Sequence, residues 1–225
     1  MLNFLILFFA ATAQADFINL KVNRNLDLSQ AIVRSKTSIT IENTGKAVQA
    51  NYEIPLQFPV EFSAVKINKK AVETRVKNNK ILVPVNLKPD GTVTLELTLV
   101  FTSGVEPLPK KVAQFDKQAL LYKGDVGFFS PYLTKEVVTV VKLPNSNELV
   151  SKLNGPEPFT RKGKEITFGP WLDVEKSSTK DVKIHFYSTK SLLSASKIVK
   201  IVQVSQLGSS MNFLEYYTLH HKGAE

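Results

Sequence analysis

The chain of 225 residues contains no cysteine, one tryptophan and three histidines. Without cysteine, no disulfide can hold the fold, and both thiolate metal sites and cysteine nucleophiles are excluded. No Asn-x-Ser/Thr sequence occurs, which excludes asparagine-linked glycosylation of the chain itself. Beyond the leader, no apolar run reaches the ~18 residues that mark a membrane-spanning helix. Stability must therefore come from a buried core, which a chain of this size can supply.

Recognised catalytic sequences are also missing. There is no Gly-x-Ser-x-Gly elbow, no His-Glu-x-x-His and no phosphate-binding glycine loop. His220 and His221 are adjacent, so in a strand they point to opposite faces and are poorly placed to share a metal. His185 lies between two apolar residues of a predicted strand, which favours a structural histidine that is hydrogen-bonded or faces solvent. We predict no catalytic residue, no metal and no cofactor.

The first fifteen residues form a separate leader. Residues 2–11 are nearly all apolar, and Ala13 and Ala15 give the small-x-small pattern that precedes a signal peptidase cut. The alternative is an N-terminal membrane anchor, but the apolar run is shorter than the ~20 residues that a span needs. We predict a cleavable secretory signal at residues 1–15, cut between Ala15 and Asp16.

The net charge is +9, and the leader contributes no ionisable side chain to it. The densest group of cations is Lys66, Lys69, Lys70, Arg75, Lys77 and Lys80. Such a group favours solvated strand edges, where lysines prevent edge-to-edge aggregation. The alternative is a surface for anionic lipid headgroups or a diphosphate-linked donor. No nucleic-acid-binding motif is present, so nucleic acid is not predicted as a partner.

Apolar and polar residues alternate along much of the chain. In residues 93–101, five apolar residues alternate with mostly polar ones, as in a half-buried strand. Residues 78–79 and 89–91 predict tight turns. Further strands are predicted at residues 17–22, 37–41, 49–54, 62–67, 81–87, 137–141, 166–168, 182–187 and 198–204. This pattern predicts a mostly β fold, an antiparallel β-sandwich with little helix. Residues 111–122 have a mixed pattern that one or two helical turns would also fit.

Two aromatic segments are candidates for contact with partners. The first, residues 122–143, runs from an aromatic cluster with glycine and proline into a valine-rich strand. The second contains the single tryptophan. Aromatic residues in strand-rich chains commonly fill the core, and the alternative is an exposed patch that meets a partner subunit or a nascent polypeptide. The candidate contact residues are Phe128, Phe129, Ser130, Pro131, Tyr132, Gly169, Pro170 and Trp171.

Five short motifs, in order, resemble the ribophorin I family, whose members are non-catalytic subunits of the oligosaccharyltransferase of the endoplasmic reticulum. They are VNRNLDLS at residues 22–29, FFSPYLT at 128–134, GPWLDV at 169–174, VSQLG at 204–208 and LHHKGA at 219–224. In the fourth motif Leu207 stands where the family has tryptophan. The motifs extend over almost the whole chain after the leader.

The resemblance implies a lumenal protein of the endoplasmic reticulum, held at the membrane within a complex that carries out protein N-glycosylation. Its expected partners are the other oligosaccharyltransferase subunits, including the catalytic one, with nascent polypeptide as a further partner. Its expected role is scaffolding and substrate positioning. The chain has no Asp-x-Asp cluster and no Trp-Trp-Asp run, so it lacks what the glycosyl transfer itself requires.

The family pattern also implies a division of the chain. Residues 16–205 are predicted to be one lumenal β-sandwich domain, and residues 206–225 the start of a second domain. The family continues into a transmembrane helix, so membrane association is expected through partners or such a C-terminal span. The resemblance also makes residues 118–123 a strand. The alternative functions are a free secreted β-sandwich binding module and a hydrolase with an unrecognised site.

Overall fold

The computed structural model describes residues 17–113, 115–144, 149–151 and 153–224. The leader, with its predicted cut between Ala15 and Asp16, lies outside these residues. Within them the chain forms sixteen strands and no helix, and hence no helix that is long and apolar enough to cross a membrane. The predicted mostly β fold with little helix is confirmed.

The strands follow one another in chain order. They are β1 (Phe17–Asp27), β2 (Val33–Asn43), β3 (Gln49–Pro55), β4 (Phe62–Ile67), β5 (Lys70–Val72), β6 (Arg75–Lys77), β7 (Lys80–Leu87), β8 (Thr92–Phe101), β9 (Val105–Pro107), β10 (Ala119–Asp125), β11 (Leu133–Lys142), β12 (Phe159–Lys162), β13 (Glu165–Val174), β14 (Asp181–Tyr187), β15 (Leu193–Ser205) and β16 (Ser210–His221).

An eight-stranded sheet, in the order β12-β13-β11-β1-β2-β8-β4-β5, forms the larger layer. Its neighbours are antiparallel except β1 and β11, which run parallel. Two three-stranded sheets, β3-β7-β6 and β14-β10-β9, supply the other side of the core. One cluster of buried side chains includes residues from all three sheets, as in a sandwich. The last sheet is the isolated hairpin β15-β16.

The alternation of apolar and polar residues in the sequence corresponds to alternation of buried and exposed side chains along the strands. In β2 the side chains of Ile39 and Ile41 are fully buried, whereas Lys36 between two inward positions is exposed. In β8, Leu95 and Leu97 point into the core, and Glu96 points to solvent. Because both strands pair in register, their apolar faces add up to one continuous surface against the smaller sheets.

The predicted turns are confirmed. Asn78 and Asn79 have φ angles of 50° and 57° and join β6 to β7, and Asp90 has a φ angle of 56° between β7 and β8. Asparagine and aspartate tolerate this left-handed region better than other side chains, so these residues suit tight turns. Residues 111–113 and 115–122 do not form the helical turns that the pattern of residues 111–122 allowed. They lead into β10, in agreement with the strand that the family resemblance implied.

Most of the dense basic group lies on or beside strands at one edge of the sandwich. Lys70 lies in β5, the last strand of the eight-stranded sheet, and Arg75 and Lys77 lie in β6, the last strand of a smaller sheet. All three side chains are exposed. Exposed cations on open edges hinder pairing with another chain, which is the simpler of the two interpretations of this charge.

Candidate functional site

Three of the sequence motifs meet on neighbouring strands. Motif 22–29 lies in and just after β1, motif 128–134 runs into β11, and motif 169–174 lies in β13. These three strands are adjacent in the sheet. The chain therefore brings together at one place segments that are more than one hundred residues apart in the sequence.

Arg24 joins the first motif to the start of the second. Its Nη1 donates hydrogen bonds to the carbonyl oxygens of Asp125 at 2.8 Å and Gly127 at 2.9 Å, and its Nε donates to Ser35 Oγ at 3.2 Å. A guanidinium with several fixed donors is suited to holding two carbonyl groups at once. Arg24 thereby fixes the path of the chain just before the aromatic cluster.

The Asp125 carboxylate is buried and holds the same loop from the other side. Its Oδ1 accepts hydrogen bonds from the backbone N–H groups of Gly127 and Lys180, each at 2.7 Å, and its Oδ2 accepts one from the Gln57 side chain at 3.3 Å. A buried carboxylate whose lone pairs are occupied by backbone donors is a structural group. It is not available as a general base.

A second buried polar network anchors the FFSPYLT motif. The Asn19 amide nitrogen donates to Ser130 Oγ at 3.0 Å and to Thr134 Oγ1 at 2.9 Å, and its oxygen accepts from the Tyr52 hydroxyl at 2.7 Å. The Tyr132 hydroxyl accepts a hydrogen bond from the backbone N–H of Glu53 at 3.1 Å. The network ties β1, β3 and the start of β11 together.

The rings around this network form a compact cluster. Phe17 meets Tyr52 and Tyr132 edge-on, with 5.5 Å between ring centroids, and the two tyrosine rings are 4.8 Å apart. Burial raises the pKa of Tyr132 to about 12 and raises the pKa of Tyr52 further, because the phenolate would lose its hydration. Both hydroxyls stay protonated and act as hydrogen-bonding groups of the core.

The third motif places Trp171 next to β11, where it pairs with Val137. Gly169 has a φ angle of 90°, and a Cβ at this position would lie 2.6 Å from the carbonyl oxygen of Val137. The pairing of β11 with β13 shifts register here, as in a β-bulge. Trp171 turns inward, donates from Nε1 to the carbonyl oxygen of Glu157 at 2.9 Å and stacks near Phe168.

The candidate contact residues divide into two groups by burial. Phe128, Ser130, Tyr132 and Trp171 are buried, so their side chains are used in packing. The half-buried or exposed residues of the set, which remain candidates for contact, are Phe129, Pro131, Gly169 and Pro170.

Phe129 lines a narrow groove of about 50 Å³ together with Phe58 and Arg24. On the other side of residues 57–58 lies an open cleft of about 430 Å³, lined by Lys123, Asp181 and Lys183 among others. The groove has mainly apolar walls, and its polar members are Arg24, Ser35, Thr37 and Gln57. We call it the motif groove, because Arg24 of the first motif and Phe128 and Phe129 of the second line it.

Two of the histidines lie within hydrogen-bonding distance of an oxygen atom. His185 lies in β14, and its Nε2 is 2.7 Å from the carbonyl oxygen of Leu108. The Nε2 atom of His220 is 2.8 Å from Ser196 Oγ. Within the described ranges, no three His, Asp or Glu side chains are grouped so that they could hold a metal ion.

Sequence reasoning did not single out Asn19, Arg24 or Asp125 as individual residues. A signal was present for Arg24, which is a charged residue within the first motif. Asp125 lies between two glycines, Gly124 and Gly127, and glycines this close together indicate a turn in the backbone. Asn19 carried no such signal, because its partners are distant in the sequence.

The two remaining motifs lie on the terminal hairpin. Motif 204–208 forms its tip, where the Ser205 hydroxyl accepts a hydrogen bond from the backbone N–H of Gly208 at 3.0 Å. Leu207 at this tip is fully exposed. Motif 219–224 ends the hairpin and returns to the body, where the backbone N–H of Ala224 donates to Gln118 Oε1 at 3.1 Å.

Solved structures of other proteins share this fold. Yeast LTA4 hydrolase in complex with bestatin superposes with a TM-score of 0.53 at 13% identity, over 81% of this chain and 30% of that chain. The M1 zinc metallopeptidase of Deinococcus radiodurans gives a TM-score of 0.51 at 14% identity, over 92% and 48%. At this identity the likeness extends to the fold alone.

Curated relatives are similar in sequence as well. Subunit 1B of the dolichyl-diphosphooligosaccharide–protein glycosyltransferase of Arabidopsis thaliana is 28% identical over 96% of this chain and 50% of its own length. Subunit 1 of Caenorhabditis elegans is 26% identical over 91% of this chain and 37% of its own length. The chain thus spans half or less of the length of these relatives. The family model described as Ribophorin I matches residues 17–225, and the chain belongs to the ribophorin I family.

Proposed function

We propose that this protein is a non-catalytic lumenal subunit of the oligosaccharyltransferase of the endoplasmic reticulum. It supports protein N-glycosylation through contacts with other subunits, including the catalytic one, and through positioning of the acceptor polypeptide. The single observation that carries the proposal is the family match over residues 17–225. The relatives named above are subunits of this glycosyltransferase by name.

The chemistry of the motif residues supports an accessory role. Arg24, Asn19 and the Asp125 carboxylate, which are the polar groups that meet at the motifs, hydrogen-bond to other parts of the fold. Leaving-group stabilisation in transfer from a lipid diphosphate requires a metal on a carboxylate cluster. The described residues hold no such cluster. This chain contributes by raising the effective concentration of an acceptor near a catalytic subunit.

The assembly part of the proposal is tested by affinity purification of the full chain from solubilised microsomes, followed by mass spectrometry. We expect to recover the catalytic subunit of the oligosaccharyltransferase. Reproducible absence of that subunit would contradict the proposal and would favour a free secreted β-sandwich binding module.

The non-catalytic part is tested by complementation of depleted cells, with the occupancy of a panel of sequons as the readout. Asp173→Asn, Glu175→Gln and His185→Gln are each expected to restore occupancy, because none of these groups performs the transfer. One of these variants that folds and assembles but loses occupancy at all sequons would indicate a catalytic role. Transfer of glycan to a sequon peptide by the purified chain alone would do the same.

Phe129 supplies a test of substrate positioning. Phe129→Ser changes a half-buried ring of the motif groove, and Phe115→Ser is its matched control, because Phe115 is 93% exposed and lies outside that groove. We expect Phe129→Ser to lower occupancy at some sequons more than at others, and Phe115→Ser to leave occupancy unchanged. Equal behaviour of the two variants would argue against the groove as a contact surface.

A further inference from the structure

The terminal hairpin of β15 and β16 stands apart from the sandwich. Among the described residues these two strands pair only with one another. The backbone N–H of Lys222 donates to the carbonyl oxygen of Leu192 at 2.8 Å and closes the base of the hairpin. The strands are thirteen and twelve residues long, which corresponds to about 40 Å of extended chain.

One face of this hairpin is mainly apolar, with one ion pair near its middle. The pairs Val204–Met211, Val202–Phe213 and Ile198–Tyr217 lie directly opposite each other in register, so each pair shares a face. Alternation along β16, and the bulge near residue 196, put Leu219 and Leu193 on that face as well. The apolar face consists of Leu193, Ile198, Val202, Val204, Met211, Phe213, Tyr217 and Leu219, with 48% to 64% of each residue exposed.

The apolar face carries no net charge. Its charged side chains are Lys200 and Glu215, which lie opposite one another near its middle and form an ion pair at 2.6 Å. Glu215 also accepts a hydrogen bond from the hydroxyl of Tyr217. The chain as a whole has a net charge of +9, so this face is an electrically neutral strip on a cationic protein.

The size of the apolar face matches one side of a protein interface. Eight half-exposed large side chains offer on the order of 800 Å² of surface, which is the share that one partner contributes to a standard interface. An isolated two-stranded hairpin is marginally stable in water, and contiguous apolar patches of this size mark interaction sites. The apolar face is therefore large enough for a protein interface, and burial of this face would stabilise the hairpin.

We propose that the apolar face of the hairpin docks another protein subunit of the oligosaccharyltransferase, through a surface of that subunit that is apolar and electrically neutral. The inference rests on the proposed function, since it names where the partner binds. Two other occupants fit the observations less well. A second copy of this chain would bring together two proteins that each have a net charge of +9 and therefore repel one another. A membrane surface is disfavoured because the neutral face has no excess cations to attract anionic lipid headgroups.

Adjacent tyrosines allow a test with a matched control. Tyr217 lies on the apolar face and Tyr216 on the opposite face, and the two are similarly exposed, at 53% and 56%. The photoreactive residue p-benzoylphenylalanine is placed at one position or the other in the full chain. Each variant is then illuminated in microsomes, and the crosslinked peptides are identified by mass spectrometry.

The expected result is at least fivefold more adduct from position 217 than from position 216. The adduct from position 217 should be a peptide of another oligosaccharyltransferase subunit. Adducts to lipid, or to a second copy of this chain, would overturn the inference. Equal yields from the two positions would overturn it as well.

A substitution pair separates this inference from the proposed function. Val202→Ser with Phe213→Ser makes the apolar face polar, and Val199→Ser with Tyr216→Ser is the control on the opposite face. We expect the first pair to reduce recovery of the catalytic subunit at least fivefold, with recovery unchanged in the control. Full recovery with both pairs would overturn the docking face and leave the proposed function standing. No recovery even with the unmodified chain would overturn both.

Discussion

The sandwich body, residues 17–187, and the terminal hairpin use the same strand pattern with opposite results. In the body the inward side chains of β2 and β8 are buried between sheets. In the hairpin, Phe213 and Leu219 remain more than half exposed, because no other sheet formed by the described residues covers them. Alternation in a sequence therefore predicts a strand with an apolar face, but it does not predict what that face packs against.

The tyrosines of the two regions also differ in the cause that raises their pKa. In the body, burial raises the pKa of Tyr52, Tyr122 and Tyr132, whereas in the hairpin a hydrogen bond to Glu215 raises the pKa of the exposed Tyr217. The body depends on neutral phenols that are shielded from water. The hairpin has no such dependence.

The largest expected effect is unfolding of the sandwich body at high pH. A tyrosine pKa raised from 10.0 to about 12 at Tyr132 stabilises the folded state fully below pH 10, and this contribution is lost as the pH rises through 12. We expect cooperative loss of strand structure in this range, together with phenolate absorbance from the body tyrosines. Circular dichroism and ultraviolet absorbance measured on the same samples check this. Phenolate absorbance from all six tyrosines at pH 10 with strand structure intact would contradict it.

The next effect distinguishes two leucines. Leu97→Ala in β8 removes a buried side chain and should lower the free energy of unfolding by ~2–5 kcal/mol. Leu219→Ala in the hairpin should change it by about 0.5 kcal/mol or less, since the side chain is largely in water. Denaturant unfolding measures both. Thr98→Ala is a control within β8, and an effect of Thr98→Ala equal to that of Leu97→Ala would mean that the register is wrong.

A smaller effect concerns the close contact between Gly124 and Tyr122. A Cβ on Gly124 would clash first with the hydroxyl oxygen of Tyr122 and would also lie 2.6 Å from its Cζ, so Gly124→Ala should cost ~1–3 kcal/mol through overpacking. The Tyr122 hydroxyl is buried and has no hydrogen-bond partner among the described residues. Tyr122→Phe alone should therefore be neutral or stabilising, and in combination it should restore part of the loss. Thermal unfolding of the two single variants and the double variant measures this, and no recovery at all would show that the hydroxyl is not the obstacle.

The smallest effect is expected for the hairpin face itself. Phe213→Ser should change the thermal midpoint of the isolated chain very little, because the ring buries little surface there. It should also reduce non-specific association at high concentration, which light scattering measures. A large drop in the midpoint would mean that the hairpin is part of the cooperative body, and the contrast between the two regions would not hold.

Much of the sandwich could be predicted because its strands have clear alternation. β4 was predicted with its observed bounds, and β8 to within one residue. The short strands β5, β6, β9 and β12 have three or four residues each, too few for a period to be visible. β16 was not predicted as a strand, since Glu215 interrupts its apolar face and both faces carry apolar residues.

The candidate site was predicted as a set of motifs rather than as a set of contacts. The aromatic segment and the Gly-Pro-Trp segment were identified from their composition, but the sequence does not tell which of their side chains face inward. The bonds from Arg24 to Asp125 and from Asn19 to Ser130 join distant segments, so no local pattern predicts them. The boundary predicted between residues 205 and 206 falls at the tip of the hairpin, and a second domain from residue 206 stays a prediction.

The parallel pairing of β1 with β11 has a consequence for the order of synthesis. β1 occupies an inner position of the eight-stranded sheet, yet one of its two neighbours is made about one hundred residues later. At the usual pace of ~5–20 residues per second, the ribosome needs roughly 5–20 seconds to supply that neighbour. During this interval β1 has one open edge, with unpaired backbone groups and an apolar side that lacks its final packing. The first strand of the domain to leave the ribosome is thus among the last to be enclosed, and a newly made chain presents an open strand edge during that interval.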